Sequence, residues 1–253
     1  MTKHSEAGEI ATVVVSYVVL VSVIVYWVVR SNGMFSHNTR IRRLWCNEIL
    51  NTKSDALLGV QTFRNNVMAS SFIATIMAGA GFAFLDWASD PTRIDSLNNQ
   101  AKSDPLTALE ADGQVLISAN AKLYVCIMVS FFSFYCMTQN IRLLSHLGYF
   151  YRTAGNYGSP ESASLYNEFG QEASEVTVRT QLYFMVGLRF FYVIIPTAMW
   201  LFGPTFLLVT SCVLAVLIWF ADAVVLPDFR FGKRARHTSH QVKDEENGTA
   251  LEK

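Results

Sequence analysis

The chain has 253 residues, a formal net charge of zero, 51% hydrophobic side chains and only 16% charged ones. That balance is too apolar for an ordinary soluble domain, and the lack of a net field removes the electrostatic ground for a nucleic-acid partner. The apolar residues fall in blocks near the ~20 residues that a helix needs to cross a hydrocarbon layer roughly 30 Å thick. The expectation is therefore an all-α integral membrane bundle over residues 1–226, followed by a polar tail at 227–253 that is too charged to fold alone.

The first predicted helix covers 10–29 and is rich in valine. It is too long for a strand, and it lacks the short apolar core and small-residue cleavage site of a secretory signal, so it is expected to remain as an anchor. The second, 66–86, carries Ser71, Thr75, Gly79 and Ala83 at intervals of four, a small-residue ridge of the kind that lets membrane helices approach closely. The loop 88–118, with Asp90-Pro91, Asp104-Pro105 and several acidic side chains, reads as a solvated, irregular and mobile segment. The third helix spans 119–141. The apolar stretch that follows, 182–225, is twice the length of one crossing and has Gly203-Pro204 at its middle, so it divides into helices at 182–202 and 204–225.

Lysine and arginine give an independent check on five crossings. Six lie between Arg30 and Arg64, three between Arg142 and Arg179 and six in the tail, whereas the alternate segments hold Lys3, Arg93 and Lys102, with Lys122 at the membrane edge. Cytoplasmic loops are the ones enriched in these residues, which puts the N-terminus outside and the C-terminus in the cytoplasm. Trp27, Trp87, Trp200 and Trp219 fall near predicted helix ends, where interfacial aromatic residues belong. The Asn247-Gly248-Thr249 sequon in a cytoplasmic tail is expected to stay unmodified.

Polar side chains inside or beside these helices are the candidate binding residues, because such groups are costly in a bilayer unless paired or hydrated. Arg64, Asn65 and Asn66 stand at the inner entrance of the second helix, and Ser130, Ser133, Met137 and Asn140 form one stripe along the third. Arg189 and Tyr192 share a face of the fourth, with Pro196 one turn further on. Arg64, Asn65, Asn66, Asn140, Arg189 and Tyr192 together define a tentative polar crevice open to the cytoplasm; the competing reading is ordinary interhelical hydrogen bonding. Arg189 also has Asp222 as an in-chain candidate for a structural ion pair. The cluster Arg40 to Arg43 beside Trp45 suits anionic lipid. Cys46, Cys126, Cys136 and Cys212 and the five histidines have no metal-ligand spacing, and no nucleotide or metalloprotease motif is present, so no metal, cofactor or catalytic residue is assigned.

Three blocks carry a resemblance: 38–45 (Asn-Thr-Arg-Ile-Arg-Arg-Leu-Trp), 56–70 (Ala-Leu-Leu-Gly-Val-Gln-Thr-Phe-Arg-Asn-Asn-Val-Met-Ala-Ser), and Gly187-Leu-Arg-Phe-Phe-Tyr192 with Trp200-Leu-Phe-Gly-Pro204. In these the sequence resembles the plant and bacterial multi-pass membrane proteins known as domain of unknown function 599. It departs at Thr180, where plant members tend to have glycine. The resemblance implies a shared multi-helix membrane fold over roughly 10–225 and brings no activity, ligand or catalytic residue.

The functional expectation is a non-enzymatic membrane scaffold that binds lipids or partners, either a second copy or another membrane protein, in the plasma membrane by default. The alternative is a small transporter or channel built on the polar crevice. An enzyme is not expected, because no nucleophile and base, carboxylate pair or metal set assembles.

Overall fold

The computed structural model describes residues 6–30, 41–46, 56–105, 117–154 and 163–225. These form helices α1 (Glu6–Arg30), α2 (Ala56–Ser89), α3 (Pro91–Lys102), α4 (Ala119–Ala154), α5 (Ala163–Met199) and α6 (Pro204–Val225), with a short helical stretch at 41–46 and no strand among the described residues. Three helices carry segments long and apolar enough to cross a membrane, Leu57–Ser89, Ala119–Tyr149 and Gly170–Met199, and two shorter apolar segments lie at Ile10–Val23 and Pro204–Phe220. The chain divides into two compact units, Met1–Leu214 and Ala215–Lys253. The second is described only to Val225, where Val216, Leu217, Trp219 and Phe220 are exposed. The tail at 227–253 lies outside the described residues.

In the first unit α4 packs along both α2 and α5. Two apolar clusters fix the relative directions. At one end Phe63 of α2 meets Leu144 and Leu147 of α4 and Ala173 of α5, and Cys46 joins them from the 41–46 stretch. At the other end Met77 of α2 meets Leu123 and Cys126 of α4 and Ile194 of α5. Hence α2 and α5 run the same way and α4 runs against them. The buried face of α2 is Phe63, Ser70, Ala74, Met77 and Gly81, at the three-and-four spacing of a helix side. Helices α4 and α5 approach closely at Gly187, where a Cβ would lie 3.0 Å from the Met137 Cε and 3.1 Å from the Cys136 Cβ.

Three sequence expectations need correction. The small-residue ridge of α2 is turned away from α4: Thr75, Gly79 and Ala83 are exposed, and nothing lies within 4 Å of a Cβ built on Gly79. Intrachain packing uses the neighbouring ridge, Ser70 and Ala74 with Gly81, where Phe131 closes to 3.2 Å of a built Cβ. The loop after the second crossing is not irregular throughout, since α3 occupies Pro91–Lys102. Its start has Asp90 as N-cap, accepting from the Thr92 N–H at 3.0 Å, and proline in the first turn, while Leu97 and Ala101 at i and i+4 bury against the bundle. Finally, α2, α4 and α5 have 34, 36 and 37 residues and extend well beyond the helices expected at 66–86, 119–141 and 182–202. At ~1.5 Å per residue each is about 50 to 55 Å long, so roughly 20 Å of each exceeds a ~30 Å hydrocarbon layer. The cluster of Cys46, Phe63, Leu144, Leu147 and Ala173 holds the three overhanging parts together.

Candidate functional site

The residues expected to form the polar crevice are distributed as follows. Arg64 and Asn65 are exposed on α2, Asn66 is half-buried and Asn140 is 2% exposed. The Asn140 Nδ2 donates to the Ser70 Oγ at 2.7 Å, and that hydroxyl donates to the Asn66 carbonyl at 2.8 Å, so one chain of hydrogen bonds joins α4 to α2. Ser133, two turns earlier on α4, donates to the Gly187 carbonyl at 2.8 Å and ties α4 to α5 where Gly187 lets them come close. Ser130 is buried and its hydroxyl finds no hydrogen-bond partner among the described residues. Arg189 and Tyr192 are half-buried on α5. The Asp222 side chain, named above as the counter-charge for Arg189, lies outside the described residues.

One turn beyond Tyr192, helix α5 passes through Pro196 without ending. The fully buried Thr197 hydroxyl donates to the Val193 carbonyl at 2.7 Å and lies 3.1 Å from the Tyr17 hydroxyl of α1. The Cys126 thiol of α4 donates to the Thr197 carbonyl at 3.5 Å. Three helices thus meet at one threonine.

A second polar group lies near the start of α4. Lys122, expected at the membrane edge, is instead 1% exposed, and its Nζ lies 5.3 Å from the centre of the Trp200 ring, within cation–π range. Asp104, just past α3, is 2% exposed. Its Oδ2 accepts from the Thr205 hydroxyl at 2.7 Å and the Thr205 N–H at 3.4 Å, placing a carboxylate at the N-terminus of α6 where the helix dipole favours it. Gly203 makes this approach feasible. Its φ of +151° is one that side-chain-bearing residues rarely adopt, and a Cβ there would fall 2.5 Å from the Asp104 Oδ1. The Asn98 Oδ1 accepts from the Ala119 N–H at 2.9 Å and caps α4 from α3. The Trp200 Nε1 and the Asn120 Oδ1 are buried and have no hydrogen-bond partner among the described residues. The one available sequence signal was Gly203-Pro204, which marks the turn but not the carboxylate that closes on it.

At the opposite end the 41–46 stretch lies against the bundle. The Trp45 and Phe63 rings meet edge to face at 5.8 Å, Cys46 is fully buried, and Thr177 of α5 donates to its sulfur at 3.8 Å. Arg43 is exposed and Arg42 half-buried, while Ile41 and Leu44 face outward at 44% and 58% exposure. Among the described residues no group of three or more histidine, cysteine or acidic side chains converges as a metal site.

A chain whose described residues are helical, with three helices long and apolar enough to cross a membrane and with Asn140 and Ser133 bridging helix to helix, is a membrane protein by class. The family model described as "Protein of unknown function, DUF599" matches residues 10–225, and the chain belongs to that family. No curated protein and no solved structure matches it.

Proposed function

We propose that this is a non-enzymatic multi-pass membrane protein whose five apolar helices all cross the bilayer, N-terminus outside and C-terminus in the cytoplasm, and which acts as a scaffold for lipids or for a partner. A second copy or another membrane protein fits the partner role, and the plasma membrane is the default location. One observation carries the scaffold reading: Asn140, one of the groups expected to line a crevice, and Ser133 on the same stripe of α4 are spent on hydrogen bonds between helices. A path for solutes would need these groups to face water.

A small transporter is the second reading. Buried Lys122 under Trp200, with half-buried Arg189, favours it, because ionisable groups inside a membrane bundle mark ion or substrate paths by default.

Vesicles containing the purified full chain separate the two. A scaffold leaves potassium, proton and chloride fluxes at the level of empty vesicles; a flux abolished by Lys122→Met or Arg189→Gln establishes the transporter instead. The crossing number is tested by glycosylation in a eukaryotic secretory pathway. Five crossings with the N-terminus outside leave Asn247 unmodified and allow modification of a sequon inserted at 106–116, whereas sugar on Asn247 puts the tail outside.

A further inference from the structure

Arginines and outward apolar side chains meet at the end of the bundle held by Cys46 and Phe63. The 41–46 stretch presents Ile41 and Leu44, three residues apart and hence on one side, with Arg43 beside them. Trp45 and Cys46, the two residues that follow, pack on Phe63. Phe63 lies three residues before the start of the apolar run at 66, about 4.5 Å along the helix axis. The stretch therefore packs on the part of the overhang nearest the apolar run, at the height of the headgroups, and not at its far tip. Arg64 on α2 and Arg142 on α4 are exposed at the same level. Arg42 is half-buried, and loss of solvation pulls its pKa below the ordinary arginine value. The described carboxylates nearby are Glu172 and Glu175 on α5, and Arg179 lies 3.9 Å from Glu175.

We infer that this end is a docking surface for anionic phospholipids: Ile41 and Leu44 enter the boundary between headgroups and acyl chains, and Arg42, Arg43 and Arg64 contact headgroup phosphates and carboxylates. A soluble acidic partner would satisfy the arginines but leave the apolar pair exposed; a charged leaflet covers both. The inference deepens the scaffold reading by naming the lipid class, and it rests on the helices being embedded in a membrane. Headgroup preference is measured independently of flux, so a chain that proved to be a transporter would leave this inference standing.

The test is native mass spectrometry of the purified full chain, titrated with phosphatidylserine and with phosphatidylcholine of identical acyl chains. The expected result is tighter binding of phosphatidylserine. A basic residue near an anionic surface strengthens binding by about fivefold, so the Arg43→Gln, Arg64→Gln double variant should lose more than tenfold for phosphatidylserine and nothing for phosphatidylcholine. Both side chains are exposed, and circular dichroism checks that the variant is folded. Arg93→Gln, beyond the other end of α2, should change neither. A second measurement needs no variant: raising the salt to about 0.5 M should collapse the preference of the unaltered chain. Equal binding of the two lipids, or a preference that survives in the folded double variant, overturns the inference.

Discussion

At the scale of single residues the joint between Asp104 and Gly203 is the most demanding feature. A buried carboxylate is costly unless hydrogen-bonded, and here it receives the Thr205 hydroxyl and sits on a helix N-terminus. Gly203→Ala should cost about 1 to 3 kcal/mol, because it combines an unfavourable φ with a steric clash against Asp104. Asp104→Asn should cost about 1 to 2 kcal/mol through the weakened cap. Denaturant titration of the purified chain in detergent checks both; an unaltered midpoint for Gly203→Ala would mean that the turn relaxes freely. Asp90, the other capping carboxylate, is only partly covered, and the hydrogen bond from the Thr92 hydroxyl at 2.6 Å, aided by Arg93, holds its pKa below the ordinary 3.8. A depressed carboxylate pKa stabilises the fold above the unfolded value and loses that contribution as pH falls through the folded one. The start of α3 should therefore loosen only below about pH 3.8, followed through the Thr92 amide resonance, and Asp90→Asn should abolish the titration.

At the scale of helices, the sequence was legible where apolar periodicity was strong and opaque where polarity hid a helix. The apolar blocks predicted helices, and three of those in the structure are long and apolar enough to cross a membrane, because in lipid only helices and closed barrels satisfy the backbone. The helix α3 was missed because only Leu97 and Ala101 of its 12 residues are buried, too few to impose a period. The overhangs of α2, α4 and α5 were missed for a related reason: reading hydropathy stops where charges begin, although Phe63, Leu144, Leu147 and Ala173 continue the packing beyond that point. On α2 two adjacent ridges both contain small residues, and the sequence alone could not choose between them. That choice is testable. Gly187→Val should cost about 1 to 3 kcal/mol, since the added atoms meet Met137 and Cys136, and it should disturb the Ser133 hydrogen bond. Gly79→Val should stay within about 0.5 kcal/mol in the monomer, because nothing is near it. A large loss at Gly79 would instead point to a second chain on that ridge.

For the whole molecule the decisive relation is between helix length and membrane thickness. Charge counting put the basic segments on one side but could not tell whether their arginines hang on loops or stand on helices. Arg64, Arg142 and Arg179 all stand on helices, within or beside the overhang built around Phe63 and Leu147. The candidate site was less legible than the apolar helices, because Lys122 acquires its meaning from Trp200, 78 positions further on, and no local pattern announces that contact. The length argument predicts where water begins. Leu58→Cys on α2 and His146→Cys on α4 are exposed positions in the overhang and should react readily with a water-soluble maleimide. Ile76→Cys and Met128→Cys, also exposed in the isolated chain but inside the central apolar runs 66–86 and 119–141, should be shielded by lipid and react at least about tenfold more slowly. Because α2 begins and α4 ends at the same end of the bundle, the two reactive positions should label from the same side of a sealed vesicle. Labelling from opposite sides would contradict the antiparallel pairing of α2 and α4, and rapid reaction at Met128 would place that face against water instead of acyl chains.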